Sequence, residues 1–285
     1  MSFLESDSIL LHDLIIYANN KLDTSSLSNS KKEIEWFLES QFSIPLYDIK
    51  FNKNRRLNKK EIDLFLKFIE RRIAGEPFQY IINSANFYGY DFFVNNKTLI
   101  PRPETELIIN IAKRYNTFNK ALDIGTGSGN IAITLALENI VNDVDAIDIS
   151  SEAINVAINN AKIYGVNNIV FYQHNFLSKP MKCQYDLIVS NPPYISIDDY
   201  QKLDNHIKYY EPLIALTDSQ NGLLFYKFFA KNLYKILRPS GKIILEIGYE
   251  ETKPDIEKLF LNEGFKCVWH KDLNDNFRVV EMFFE

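Results

Sequence analysis

The chain has 285 residues, 46% of them apolar and 24% charged, which suits two domains with real cores. A formal net charge of -5 argues against a protein held mainly by nucleic-acid backbone, where a basic face supplies the affinity. Two cysteines, Cys183 and Cys267, and four scattered histidines, His12, His174, His206 and His270, make no metal-ligand spacing, so no metal site and a reducing compartment are expected. No apolar run is long enough to span a bilayer, and the acidic "MSFLESDSILLHDL" does not read as a signal peptide. The cytosol is the expected location.

In chain order, Ile9, Leu10, Asp13, Leu14, Tyr17 and Ala18 lie on helical spacing. "SKKEIEWFLESQF" opens on a capping-box pattern, Ser30 with Glu33, and places Ile34, Phe37, Leu38 and Phe42 on one face. "NKKEIDLFLKFIERRIAGEP" repeats that logic with Asn58 and Glu61. Its stripe is Ile62, Phe65, Leu66, Ile69 and Ile73, closed by Gly75 and Pro77. No strand pattern interrupts these helices, so residues 1–75 are expected to form a small helical domain.

From Phe78, "FQYIINSANFYGYDFFVNNKTLI" is aromatic and β-branched with turn residues at Asn83-Ser84 and Gly89. A β-hairpin linker over 76–100 is expected. In "PRPETE", Pro101 and Pro103 set an extended entry, with Glu104 and Glu106 in the first turn of a helix. From Lys120, short apolar strands ("KALDI", "DVDAID", "NIVFYQ", "YDLIVS", "GKIILEIG") alternate with amphipathic helices. "FKCVWH" and "FRVVEMFF" end the chain as an antiparallel edge pair. The fold class predicted over 101–285 is α/β, a mostly parallel seven-stranded sheet covered on both faces.

"LDIGTGSGN" sits where the first of these strands meets its helix. Gly125, Gly127 and Gly129, with Thr126 and Ser128 between them, let backbone approach a ligand at the carboxyl end of the sheet. A tight turn without a ligand remains the alternative. Asp148 closes the second strand, where an acid can accept bonds from both ribose hydroxyls, or else cap the next helix, a job for which Ser150 competes. Asp145 ranks second. After the third strand, Asn175 can bond an adenine edge and Phe176 can stack on its face or serve as core. G-x-G-x-G is not the dinucleotide spacing G-x-G-x-x-G, which disfavours a nicotinamide dehydrogenase. With the acid after the second strand, it resembles the S-adenosylmethionine site of Rossmann-like methyltransferases.

"NPPY" follows the fourth strand. Asn191 offers a side-chain carbonyl and Pro192 a backbone carbonyl. Together they can accept both N–H bonds of a planar NH2 group and aim its nitrogen at a methyl donor. Pro192 and Pro193 stiffen the segment, and Tyr194 can stack on the planar group. The motif alone leaves adenine N6, guanine N2 and glutamine N5 open as acceptors.

The helical N-domain, "GEPFQYI", "LIPRPETE", "LDIGTGSGNIAI", "NPPYI", "YYEPLIAL" and "LEIG" together resemble the HemK/PrmC-type peptide chain release factor glutamine N5-methyltransferases, from the N-domain to the last strands. The resemblance implies S-adenosylmethionine as methyl donor and the glutamine of a Gly-Gly-Gln motif in release factors as acceptor. It implies cofactor contacts at Gly125–Gly129, Asp148, Phe176 and Asn191, and substrate contacts at Asn191, Pro192, Pro193 and Tyr194. Phe176 stands where the family often carries tryptophan, Asn175 where it often carries an acid, and "KYY" precedes "EP" in place of an arginine-phenylalanine pair. Residues 1–75 would dock the substrate of a monomeric enzyme that makes no stable contact with nucleic acid or membrane. A nucleic-acid N-methyltransferase is the runner-up; it would want a recognition domain and a basic surface, and "KNRRLNKK" is the one basic run. A noncatalytic interaction module would not need both motifs intact.

Overall fold

The computed structural model describes residues 7–22, 30–52, 54–179 and 181–284. The chain divides into two compact units, 1–83 and 84–285.

The first unit runs β1 (Ser8–Leu10), α1 (Leu11–Leu22), α2 (Ser30–Phe42), α3 (Leu46–Phe51), β2 (Arg56–Asn58), α4 (Lys59–Ile73) and α5 (Phe78–Ile82). The Asn58 capping box forms as its spacing predicts: the Glu61 N–H donates to Asn58 Oδ1 at 3.1 Å and the Asn58 N–H to Glu61 Oε2 at 2.7 Å. The Ser30 side chain lies outside the described residues, and the Glu33 carboxylate receives the buried Arg72 guanidinium at 2.7 and 3.1 Å, tying α2 to α4. Phe37 stacks on Phe68 with ring centroids 4.2 Å apart, inside a core that also holds Ile34, Leu38, Ile62, Phe65 and Ile69.

Three local readings differ. Ser8–Leu10 is a strand paired antiparallel with Arg56–Asn58, and the helix begins only at Leu11, whose N–H donates to Arg55 O at 2.9 Å. Phe78–Ile82 is a helical turn, opened by Pro77 and ended by Asn83 at φ 55°, that buries Phe78 and Ile81 at i, i+3. Ile73 also departs from its stripe and is exposed, while Phe68 takes a core place.

The second unit begins with the hairpin β3 (Ser84–Phe87) and β4 (Tyr90–Phe93). Its two-residue turn, Tyr88-Gly89, has φ 53° and 82°, the double positive φ of a type I′ turn. The Tyr88 N–H donates to Glu106 Oε1 at 2.8 Å, which fixes the turn against α6 (Glu106–Ala112). There follow β5 (Phe118–Ile124), α7 (Asn130–Leu137), β6 (Val141–Asp148), α8 (Ser151–Ile163), β7 (Ile169–Gln173) and β8 (Tyr185–Ser190). Then come three short helices, α9 (Ile197–Lys202), α10 (Asn205–Tyr210) and α11 (Leu213–Leu216), and α12 (Leu224–Asn232). The unit closes with β9 (Leu237–Glu246), α13 (Lys253–Leu261), β10 (Lys266–Lys271) and β11 (Phe277–Phe283).

The seven-stranded sheet has the order β10-β11-β9-β8-β5-β6-β7, parallel from β9 to β7, with β11 antiparallel to both its neighbours. Each face is covered: Leu122, Ile124, Ile188 and Leu245 pack with α12 and α13, and Ala121, Val144, Leu187 and Ile244 with α6 and α7. Burial on both faces explains the nearly unbroken apolar runs of these strands. From β5 the chain moves outward through β6 and β7, then returns to place β8 on the other side of β5. That reversal opens a crevice at the carboxyl ends of β5 and β8.

Register aligns those ends. Ile124 pairs with Ile147 of β6 and with Ser190 of β8, and Ser190 pairs with Leu245 of β9. The Ser190 hydroxyl donates to Ile124 O at 2.7 Å and locks β5 to β8 at that point. Asp148, Gly125, Asn191 and Glu246, each the residue after one of these, therefore stand in one row.

Candidate active site

A cavity of about 710 Å³ opens along this row, within the range of small-molecule sites. Gly125, Thr126, Gly127 and Ser128 form its floor. Gly125 and Gly127 have φ 75° and 55°, with open space where a Cβ would point. Gly129 is different. The structure places it outside the cavity lining, where a Cβ would come within 2.9 Å of the Ile133 side chain and 3.1 Å of Ala157 Cβ. Its lack of a side chain lets α8 approach the start of α7. The loop is also held from behind. The buried Asn160 of α8 donates to Ser128 O at 2.8 Å and Phe93 O at 3.0 Å, and accepts the Phe93 N–H at 2.8 Å.

Asp148 lines the cavity. Its Oδ2 accepts the Gly127 N–H at 3.0 Å and its Oδ1 the Ser150 N–H at 2.9 Å. Burial pushes this carboxyl up from its ordinary value, against the opposing pull of those N–H groups. The helix cap falls to Ser150, whose Oγ accepts the Ala153 N–H at 3.2 Å, so Asp148 is not spent on that role. Asp145 lies elsewhere, bonded to Tyr185 and Lys120. Asn175 and Phe176 both line the cavity. Phe176 is also core, edge-on to Phe228 and Phe229 at 5.7 and 5.8 Å between centroids.

Asn191 and Pro193 line the same cavity, whereas Pro192 and Tyr194 line a second one of about 310 Å³. Asn191 borders both, as do Leu99, Arg102 and Ala215. The second cavity also meets Arg278, which donates to Gly248 O at 2.6 Å and Ile247 O at 3.3 Å. Arg102 pairs with the buried Glu211 at 2.5 Å, and Glu211 also accepts the Ile100 N–H at 3.3 Å, so residues 100–102 are tied to the end of α10.

Glu246 and Thr105 were not singled out by sequence reasoning, although both stand inside quoted motifs. Glu246 is 1% exposed. Its Oε2 accepts the Thr105 hydroxyl at 2.6 Å, and its Oε1 the Tyr194 hydroxyl at 3.2 Å. Asn191 Nδ2 donates to Thr105 Oγ1 at 3.1 Å. Both ends of the Asn-Pro-Pro-Tyr segment thus converge on one carboxylate. Burial pushes its pKa up to about 7, against the pull of Thr105, Arg278 and Tyr194. Burial and the adjacent Glu246 raise the Tyr194 phenol well above its ordinary value, so it stays a donor. The signal for Glu246 was an acid ending an apolar strand beside the strand that carries NPPY. No metal-holding group of His, Cys, Asp and Glu occurs among the described residues.

Comparison with known proteins adds the family. Residues 13–82 match the PrmC N-terminal domain model, and residues 103–207 the methyltransferase small domain model. The chain is 35% identical over 295 residues to a bifunctional methyltransferase of Rickettsia felis, covering 92% of this chain and 56% of that protein. It therefore spans about half the length of such relatives. It is 38% identical over 254 residues to the release factor glutamine methyltransferase of Bacillus subtilis, covering 82% of this chain and 87% of that one. A methyltransferase crystal structure from Pyrococcus furiosus superposes with a TM-score of 0.53 at 21% identity, over 70% of this chain and 90% of that chain, which shows a shared Rossmann-like fold. The sheet, the two matched models and the length of the Bacillus alignment agree: this chain is a member of the release factor glutamine methyltransferase family.

Proposed function

We propose that this protein uses S-adenosylmethionine to methylate the side-chain nitrogen, N5, of the glutamine in the Gly-Gly-Gln motif of peptide chain release factors. The observation that carries this reading is that Asn191 borders both cavities, so a donor in one and an acceptor in the other meet at its carboxamide. The larger cavity fits the donor. Asp148 has lone pairs for ribose hydroxyls, the Gly125–Ser128 backbone gives room for the amino-acid portion, and Asn175 and Phe176 border the place for the base.

When bound, the donor supplies a methyl carbon made electrophilic by a sulfonium. The acceptor is the difficult partner, because an amide nitrogen delocalises its lone pair. Asn191 Oδ1 and the Pro192 carbonyl accept the two N–H bonds of the planar amide, and Pro193 keeps the segment stiff. The Tyr194 ring closes the second cavity and excludes water. Held this way, the nitrogen faces the donor cavity, and orientation of this kind is worth about 7–11 kcal/mol of a barrier. Transfer leaves the nitrogen strongly acidic, so one of its two bound protons passes to solvent after the N–C bond forms and no strong base must act first.

Residues 1–75 dock the release-factor body, and the hairpin region 76–100 links them to the catalytic domain. The protein acts in translation termination as a cytosolic monomer, without stable nucleic-acid or membrane contacts; no helix among the described residues is long and apolar enough to cross a membrane. The deciding experiment incubates the full chain with labelled donor, a release factor and a DNA duplex side by side, then locates the mark by mass spectrometry. A label on the Gly-Gly-Gln glutamine is expected. A label on the duplex with none on the release factor would transfer the enzyme to the nucleic-acid class.

A further inference from the structure

We infer that Glu246 is a positioning residue that, through Thr105, fixes which edge of the Asn191 carboxamide faces the acceptor cavity. The inference rests on the methyl-transfer reading and deepens it.

The argument is a count of protons. An ionised carboxylate only accepts, and a threonine hydroxyl carries one proton. At 2.6 Å from Glu246 Oε2, the Thr105 proton is committed to Glu246. Thr105 Oγ1 then has only lone pairs for its 3.1 Å contact with Asn191, so Asn191 must present its NH2 there. The carboxamide has two edges. With the amino edge held by Thr105, the carbonyl edge is the one left to accept an N–H from a substrate amide. The other Glu246 oxygen accepts the Tyr194 hydroxyl, so one carboxylate orients both the amide and the ring of the motif.

Protonation reverses the sequence. A neutral Glu246 can donate to Thr105, the Thr105 proton becomes free for Asn191, and the carboxamide can turn its amino edge towards the substrate. Around Glu246 stand Arg278 of β11, which favours the ionised form, Glu104 of the turn before α6, which opposes it, and the Tyr194 and Thr105 hydroxyls. The Tyr226 hydroxyl of α12 donates to the Glu246 backbone carbonyl instead.

The test compares the full-length parent with Glu246→Gln, Thr105→Val and Thr105→Ser, measuring kcat and KM on a release factor between pH 6 and 8, with melting temperature and calorimetric affinity for the demethylated donor product. In Glu246→Gln the new NH2 must face either Thr105 or Tyr194. We expect kcat to fall about tenfold or more in Glu246→Gln and Thr105→Val, the fold-change that one orienting hydrogen bond is worth, with donor-product affinity unchanged in Glu246→Gln, whose side chain borders neither cavity. Thr105→Ser should recover kcat to within about threefold of the parent, because its hydroxyl is retained. The parent should lose kcat as pH falls through about 7, and Glu246→Gln should lack that limb. A merely structural carboxylate would move the melting temperature and leave kcat and the limb alone. Glu246→Gln with parental kcat and a parental acid limb overturns the inference, and it decides alone should Thr105→Val not fold. A parent that leaves the release factor unmethylated is a distinct result and overturns the methyl-transfer reading instead.

Discussion

Gly248 follows the strand that carries Glu246, and it is where the packing of Tyr194 can be attacked most directly. A Cβ built there would stand 2.1 Å from Tyr194 Cδ2, 2.6 Å from Cε2 and 2.8 Å from Cγ. All three are ring atoms, so no flexible end can move aside; the ring must swing or the strand must shift. Overpacking of this kind costs about 1–3 kcal/mol. A swing of about 1 Å also breaks the 3.2 Å bond from the Tyr194 hydroxyl to Glu246, worth about 1.5–3 kcal/mol when the acceptor is charged. The sum, about 2.5–6 kcal/mol, corresponds to a fall in melting temperature of about 5–24 °C for a domain of this size. Turnover should fall about a hundredfold, the cost of misplacing a reacting group by about 1 Å. Gly248 borders the second cavity and not the first, so affinity for the donor product should hold. Differential scanning fluorimetry, single-turnover methylation of a release factor and calorimetry together read all three quantities. A Gly248→Ala protein with parental melting temperature and turnover would refute the claim that the ring is wedged against this backbone.

Three further outcomes follow from the same geometry. Asp148→Ala removes the acceptor of the Gly127 and Ser150 N–H groups as well as the proposed ribose contact, so calorimetric affinity for the donor product should fall about 10–100-fold; unchanged affinity would move the ribose contact elsewhere. Asn160→Ala deletes three hydrogen bonds of a buried side chain that tie β4 and the glycine loop to α8, and should lower stability by about 2–4 kcal/mol in urea melts while weakening donor binding; parental stability would refute the clamp. Asp123 is fully buried, accepts the Thr126 hydroxyl at 2.7 Å, and has its pKa pushed up to about 7 by burial. A carboxyl raised in the folded state contributes stability below its unfolded pKa that is lost as pH rises through the folded value. Asp123→Asn should therefore exceed the parent in melting temperature by a margin that is small near pH 4, widens as pH rises to about 7 and stays constant above it, and parallel curves would show that the carboxyl does not titrate as the burial implies.

The sheet was legible because strands buried on both faces are largely apolar, and each ends on a polar residue or a glycine: Gly125 after "KALDI", Asp148 after "DVDAI", Asn191 after "YDLIVS". The two motifs were legible as neighbours only through the fold, since nothing local says that β8 lies beside β5. Where local pattern and tertiary demand disagreed, tertiary demand prevailed. "FQYII" has strand composition, yet Pro77 and the left-handed Asn83 confine it to a helical turn that buries Phe78 and Ile81. Ser8–Leu10 forms a strand because of residues 48 positions away, a partner no window can contain. The glycine loop was read as a unit, but only the backbone environment separates Gly125 and Gly127, which open on the cavity, from Gly129, which makes room for α8.

The part of the site that escaped sequence reasoning escaped for one reason. Thr105 and Glu246 are 141 residues apart, and neither has an unusual local context; a threonine in a first helical turn and a glutamate at a strand end are ordinary alone. The nearness of Glu246 to Asn191 follows from the alignment of Ser190 with both Ile124 and Leu245, which sets the residues after β8 and β9 side by side, and Thr105 bridges the two. Once those strands are in register, a glutamate after Leu245 cannot avoid the asparagine after Ser190. The chemistry of the carboxamide is therefore set as much by the strand pairing as by the motif that carries it. A protein with Asn-Pro-Pro-Tyr intact but β9 slipped by one residue would turn Glu246 to the other face of the sheet and leave Thr105 free to donate to Asn191.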